Sequence, residues 1–206
     1  GLSSSNESRG HRFHHNSAVQ ISSPAGYQEA LRAAHVLCDA DERRNLIAEQ
    51  VSALAGPSES VALADDLLDE VAGLVEWPVA LRGSFDERFL EVPAQALISA
   101  MKNHQKYFHL TDTTTGALLP AFVTVSNIES RSPSEVIAGN ERVIRPRLSD
   151  AAFFFSNDKN TPLGSRQERL GSVVFQHKLG TLLDKTHRIA KVASRLAAQM
   201  NADPAL

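Results

Sequence analysis

The sequence predicts an α+β protein in which helices dominate and four or five short strands supply the rest of the structure. Apolar residues recur at helical spacing in several segments, and each segment is bounded by a capping or a breaking residue. Short apolar runs lie between these segments, and residues 121–126 form the best predicted strand. We therefore divide the chain into a polar lead-in (1–22), an α+β domain (23–160) and a helical segment (161–206).

The first half of the α+β domain is predicted to be helical. Ser23 and Pro24 open the first helix, because a capping hydroxyl precedes a proline at the first helical position. A second helix is expected from about residue 41 until Gly-Pro stops it at 56–57, and a third over about 61–75. The apolar run 35–38 is a candidate strand.

The second half of the domain alternates strands and helices. Strands are predicted over 79–85 and 106–110, in addition to 121–126, and a helix is expected over about 93–104. The threonine-rich segment 112–116 ends in glycine and indicates a hairpin turn.

A further helix is predicted to start at Pro133 and to continue through Phe155. Pro146 inside it would cost about 3 kcal/mol. The helix therefore either kinks there, or ends near Arg145 and begins again around Arg147. A short helix over 163–170 and a long amphipathic helix over about 179–200 complete the predicted elements.

Charge is distributed unevenly along the 206 residues, whose net charge is −3. The first 75 residues hold five arginines against eleven acids, and the remainder carries a net charge of +3. Any polyanionic partner should therefore meet the second part. The single Cys38 excludes an intrachain disulfide framework and suits a reducing compartment, so we expect a cytoplasmic protein.

Eight segments in collinear order carry a family resemblance. They are 9–13 (RGHRF), 76–78 (EWP), 83–86 (GSFD), 101–108 (MKNHQKYF), 124–127 (TVSN), 139–143 (GNERV), 148–154 (LSDAAFF) and 174–180 (VFQHKLG). Together they resemble the β subunit of the bacterial two-subunit glycyl-tRNA synthetase. That subunit is far longer than 206 residues, so we expect this chain to be an interior piece.

The resemblance implies a function for the whole complex. The family's enzyme attaches glycine to its tRNA, and it uses ATP and magnesium through the separate α subunit. It implies the α subunit and glycine tRNA as partners, with no cofactor in this fragment. The fragment itself is expected to be a non-catalytic part that positions tRNA or supports subunit architecture. The helical segment is expected to begin a region similar to the HD-type phosphohydrolases.

Six side chains are candidate RNA contacts, because they are basic and cluster in the part with positive charge. They are Lys102, His104, Lys106, Arg142, Arg145 and Arg147. The arginines suit phosphate, since a planar guanidinium donates two parallel hydrogen bonds.

Structural alternatives exist for these same side chains. His104 could cap the C-terminus of its helix. Glu141 could pair with Arg145, and Arg147 with Asp150, which would neutralise two of the three arginines.

Aromatic residues offer a second route to RNA. Tyr107 and Phe108, and the run 153–155, could stack on bases, although burial against protein is the stronger expectation. A rival hypothesis is a proofreading hydrolase, or the relic of one. It would require a pocket around His104, Ser126 and Asn127.

No catalytic or metal site is predicted. The histidines at positions 11, 14 and 15 are expected to lie in a solvated segment. An HD-type site needs an adjacent His-Asp pair, and no histidine of this chain is followed by aspartate. Asp184 and His187 are expected to form a surface pair.

Overall fold

The computed structural model describes residues 5–203. The chain divides into two compact units after Ala152, eight residues before the domain boundary predicted at 160. The fold is of the α+β class, with small antiparallel sheets and several helices, as the sequence predicts.

The first unit is built on a four-stranded antiparallel sheet of strands β3 (Glu59–Val61), β4 (Val79–Ser84), β5 (Phe108–Asp112) and β6 (Leu118–Ser126). Their order across the sheet is β3-β5-β6-β4. The predicted hairpin turn joins β5 to β6. The Asp112 carboxylate accepts hydrogen bonds from the backbone N–H of Thr114 and Thr115, and Gly116 adopts φ +70°.

Within the described residues 5–152, five α-helices begin: α1 (Tyr27–Ala33), α2 (Ala40–Ala53), α3 (Asp65–Leu74), α4 (Ala94–Ser99) and α5 (Pro133–Asn160). A π-helical turn (Ala100–Gln105) extends α4 directly. Helices α2 and α3 pack on one face of the sheet, and their contact forms the main core. Its buried members include Ile47, Val51, Leu68, Phe108 and Val123.

Several predicted elements differ from the structure, and three of them show the physical reason. The third helix begins at Asp65 rather than 61, since β3 pairs with β5 there. The run 35–38 is not a strand: His35 has φ +60°, and the Leu37 N–H donates to the Glu76 carbonyl. The strand predicted from residue 106 begins at Phe108, because Lys106 ends the π-helical turn in a left-handed conformation.

Pro146 does not end α5, which runs unbroken from Pro133 to Asn160. The alternative in which the helix stops near Arg145 is therefore wrong. Ile144 and Leu148 flank the proline and are fully buried. Their burial offsets the hydrogen bond that the proline cannot donate.

The N-terminal segment is more ordered than the solvated segment that we expected. Strands β1 (Glu7–Arg9) and β2 (Ala18–Gln20) form a hairpin. His11 is in the segment that connects the two strands, and its side chain is only 1% exposed. Its Nε2–H donates to the Asn127 carbonyl oxygen at 2.6 Å, and its Nδ1 accepts from the backbone N–H of Phe13 and His14. Both ring nitrogens of His11 thus bind backbone groups, which explains its burial.

Acidification is expected to weaken the docking of this hairpin. His14 Nε2 accepts the Glu129 N–H at 3.0 Å, and its ring stacks on His35 and makes a tilted contact with His11. Desolvation, and then the neighbouring His11 and His35, lower the pKa of His14 below its ordinary 6.5, against an opposing effect of the Glu129 carboxylate. A lowered pKa means that this stabilisation is complete above pH 6.5 and is lost as the pH falls below it.

Fluorescence of the single Trp77 reports this change, because His35 lies 4.9 Å from the indole ring. His14→Gln should reduce the pH response. His177→Gln, at an exposed histidine of the second unit, should leave it unchanged. An identical response in wild type and His14→Gln would contradict the assignment.

The second unit continues from α5 into a 3₁₀ segment (Leu163–Ser172), where a short helix was predicted. Strands β7 (Val174–Gln176) and β8 (Gly180–Thr181) pair, and α6 (Leu182–Gln199) follows. Thr181 and Asp184 form a capping box at the start of α6. Asp184 therefore serves the helix N-terminus, and hydrogen bonds from Thr181 lower its pKa, with smaller contributions from Arg188 and His187.

Within residues 5–203, no helix combines the length and the apolar character needed to cross a membrane. The HD-like character of the helical segment stays a prediction.

Candidate nucleic-acid interface

Helix α5 presents the three predicted arginines to solvent. Ile144 and Leu148 form its buried stripe, whereas Arg142, Arg145 and Arg147 are exposed. At 100° per residue, Arg142 and Arg145 lie about 60° apart, and Arg145 and Arg147 about 160° apart. Arg142 and Arg145 therefore share one face of the helix, and Arg147 lies across the buried stripe from them.

The ion pairs that would neutralise these arginines are not formed. Glu141 Oε1 accepts from the Ser84 N–H at 2.8 Å and from the Ser84 Oγ at 2.9 Å. The alternative of a Glu141–Arg145 pair is therefore wrong: this carboxylate fixes the end of β4 instead. Arg147 likewise makes no ion pair with Asp150. Within residues 5–203, the three guanidinium groups have no acidic partner.

The two predicted lysines have acidic partners on α3. Lys102 Nζ lies 2.8 Å from Asp66 Oδ2, and Lys106 Nζ lies 2.7 Å from Glu70 Oε1. The hydrogen bond from Lys102 is the largest of the effects that lower the pKa of Asp66. Both lysines therefore join the π-helical turn to α3, and their charges are partly neutralised before any RNA arrives.

His104 lies in the last turn of the π-helical segment and is exposed. The turn is closed by the backbone, because the Tyr107 N–H donates to the Met101 carbonyl oxygen at 3.1 Å. In the described part of the chain the His104 imidazole makes no hydrogen bond. It therefore does not cap the C-terminus of its helix, which was the alternative to RNA contact.

A cavity of about 530 Å³ lies beside Arg145, between the end of β4 and α5. Ser84, Phe85, Arg88, Glu141 and Arg145 contribute to its wall. Sequence reasoning missed Arg88. The available signal was the GSFDER string, in which a strand end is followed at once by charged residues.

Comparison with known sequences decides the family. The profile of the family described as "Glycyl-tRNA synthetase beta subunit" matches residues 1–205. The chain belongs to the glycyl-tRNA synthetase β-subunit family.

Its relatives include three proteins named "Glycine--tRNA ligase beta subunit". The Hahella chejuensis protein is 54% identical over 206 residues, which are 99% of this chain and 30% of the relative. The Azotobacter vinelandii protein is 56% identical over 199 residues, which are 96% of this chain and 29% of the relative. The Chromohalobacter salexigens protein is 56% identical, with coverages of 98% and 30%. The chain thus spans less than a third of the relatives that it matches.

The aromatic candidates divide into two groups. Tyr107 and Phe108 are 3% and 0% exposed, so they belong to the core and cannot stack on bases. Phe153 and Phe154, at the start of the second unit, are 62% and 64% exposed and contact each other edge to face. Only the second group remains available to a partner.

The residues of the rival hydrolase hypothesis already serve the fold. Ser126 ends β6 and pairs with Val79. Asn127 Oδ1 accepts from the backbone N–H of Glu76 at 2.7 Å and of Trp77 at 3.0 Å. An amide occupied by two backbone donors is a structural group, and this observation removes support from the hydrolase hypothesis.

Proposed function

We propose that this chain is a non-catalytic part of a two-subunit glycine–tRNA ligase and contributes to placing glycine tRNA for the α subunit. The whole enzyme would attach glycine to tRNA, with ATP and magnesium bound by the α subunit. Family membership supports the enzyme class, because the relatives carry the name glycine–tRNA ligase beta subunit. The cytoplasmic location expected from the sequence stays a prediction.

The observation that carries the tRNA role is a pair of guanidinium groups on α5 that have no acidic partner within residues 5–203. Arg142 and Arg145 share an exposed helix face, while Glu141 is held by Ser84. An exposed arginine without an acidic partner offers its full fork of donors to a phosphate. Arg147 extends the positive charge to the far side of the helix. Lys102, His104 and Lys106 are secondary candidates, since both lysines already bind acids.

Binding of glycine tRNA is expected to be weak and to depend strongly on salt. With two or three phosphate contacts, the log–log slope of affinity against salt should be about −2 to −3. Replacing Arg142 and Arg145 together by Ala should weaken binding at about 50 mM salt and bring the slope closer to zero by about 2. Fluorescence anisotropy of labelled tRNA, measured at about 50 and about 200 mM salt, tests this.

The matched control replaces two exposed basic residues away from Arg142 and Arg145, namely Arg131 and Lys178, by Ala. It removes the same charge and should leave the slope unchanged. Equal affinities of wild type and the Arg142/Arg145 double variant would eliminate these two arginines as the contact. An architectural role would then be favoured. The exposed Phe153 and Phe154 support such a role, because exposed apolar side chains favour an interface with the rest of the subunit.

The isolated chain is expected to show no aminoacylation and no glycine-dependent ATP–pyrophosphate exchange. Its sequence contains neither a GxxxxGK[ST] nor a GxGxxG phosphate-binding motif. Exchange assays on the purified chain, with the complete two-subunit enzyme as a positive control, measure this. Exchange above background from the chain alone would refute the non-catalytic assignment.

A further inference from the structure

We propose that the cavity between β4 and α5 binds one ribonucleotide unit of an RNA strand, with its phosphate on Arg145 and its ribose 2′-hydroxyl on Glu141. This inference rests on the proposed RNA-binding function and adds to it a means of telling RNA from DNA. The cavity of about 530 Å³ is within the usual range for small-molecule pockets.

Arg145 is the cation of the cavity wall that is free to bind an anion. The other cation, Arg88, has its Nε 3.3 Å from Asp86 Oδ2, and its guanidinium lies 5.0 Å from the centre of the Phe89 ring. Arg145 has neither kind of partner within residues 5–203. One free guanidinium matches one phosphodiester, which carries a single negative charge.

Glu141 supplies the second contact. Its Oε1 accepts two hydrogen bonds from Ser84, which fixes the carboxylate at the cavity wall. In the described chain its Oε2 accepts none, so it can take a hydrogen bond from a ligand. A carboxylate repels phosphate and attracts a hydroxyl donor, and Glu141 and Arg145 lie one helical turn apart. A ribose offers that donor beside its phosphate as the 2′-hydroxyl, and a deoxyribose does not.

Phe85 lines the cavity together with Phe89 and Asp86, whose carboxylate pairs with Arg88. An aromatic ring at this place provides a surface on which a base can stack without sequence preference. The expected ligand is therefore a single-stranded segment of RNA of any sequence. A free anion such as inorganic phosphate would use Arg145 alone and would leave Glu141 without a role.

The test compares one short single-stranded RNA with the DNA strand of the same sequence, both end-labelled, by anisotropy on the 206-residue chain. Wild type should bind RNA about tenfold more tightly than DNA, the size of one hydrogen bond to a charged group. Glu141→Gln keeps an acceptor for Ser84, and it should reduce the RNA-to-DNA ratio towards one. Glu135→Gln, the same charge change at an exposed position of α5, should keep the ratio.

Arg145→Gln should weaken binding of both strands by about tenfold. Its matched control, Arg131→Gln, is exposed outside the cavity and should have a much smaller effect. Circular dichroism melts confirm that each variant is folded. The wild-type RNA-to-DNA ratio needs no variant, so the inference is testable even if Glu141→Gln fails to fold.

The outcomes separate the two proposals. If wild type bound RNA and DNA with equal affinity, or if Glu141→Gln kept the wild-type RNA-to-DNA affinity ratio, the proposed ribonucleotide site would be overturned. The proposed tRNA role would still stand. Wild type that binds neither strand nor tRNA would overturn both. Competition by inorganic phosphate that displaces RNA from wild type and Glu141→Gln equally well would identify a simple anion site instead.

Discussion

Replacing Phe122 by Ala is expected to lower the free energy of unfolding by about 3–5 kcal/mol. Phe122 is fully buried, and its ring stacks on Tyr107 at 4.5 Å with an interplanar angle of 11°. Across the sheet its partner is Gly83, where an added Cβ would lie only 2.5 Å from Phe122 Cζ. Because glycine has no side chain to move into the space, the cavity left by Phe122→Ala would remain largely open.

The loss extends beyond the sheet, because Tyr107 connects it to α5. The Tyr107 hydroxyl donates to Asn140 Oδ1 at 2.6 Å, and burial raises the pKa of Tyr107 to about 12. Domains of this size unfold with about 5–15 kcal/mol, so Phe122→Ala should remove a large share of the stability. Urea denaturation followed by circular dichroism measures the change.

A matched control is available at Phe13, which is 70% exposed in the same unit. Phe13→Ala should change the free energy of unfolding by no more than about 0.5 kcal/mol. Equal urea midpoints for the two variants would show that the Tyr107–Phe122 stack does not hold the sheet and α5 together.

Replacing Arg82 by Ala is expected to cost about 2 kcal/mol. Arg82 is on β4 and forms two hydrogen bonds to the Glu59 carboxylate, at 2.5 and 2.9 Å, and one to the Leu54 carbonyl at 2.9 Å. Glu59 in turn accepts the Gly56 N–H at 2.7 Å. The guanidinium therefore ties the end of α2 and strand β3 to β4, and its removal leaves a carbonyl and a carboxylate without their partner.

Acid should remove the same contribution in wild type. The Arg82 guanidinium, and then the Gly56 N–H, lower the pKa of Glu59 from its ordinary 4.5 to about 2. A lowered carboxyl pKa means that the stabilisation is complete above pH 4.5 and is lost as the pH falls towards 2. Urea midpoints measured across this range should fall more steeply in wild type than in Arg82→Ala.

Arg32→Ala is the matched control for this ion pair. Arg32 pairs with Glu42, but the two side chains are 52% and 39% exposed, so the pair should contribute about 0–1 kcal/mol. If Arg82→Ala were as stable as Arg32→Ala, the connection between α2, β3 and β4 would have to come from apolar packing alone.

The sequence by itself determined those elements whose signals are local. Ser23 with Pro24 marks the start of the first helical segment, where the Ser23 hydroxyl accepts the Gly26 N–H. The turn at 112–116 follows from the Asp112 side chain and Gly116. Caps, turns and 3.6-residue periodicity involve partners within a few positions along the chain, so the pattern alone predicts them. Family membership was also readable, because it depends on strings of residues in order.

Only the tertiary structure decided which charges are available at the candidate site. Local spacing favours pairing of Glu141 with Arg145, yet Glu141 binds Ser84, 57 positions away. Lys102 meets Asp66 across 36 positions, so it is partly neutralised although no acid lies near it in sequence. Long side chains select their partners by the distances that packing of the sheet and helices creates. For that reason the sequence predicted six basic candidates, and the fold leaves Arg142, Arg145 and Arg147 without an acidic partner within residues 5–203.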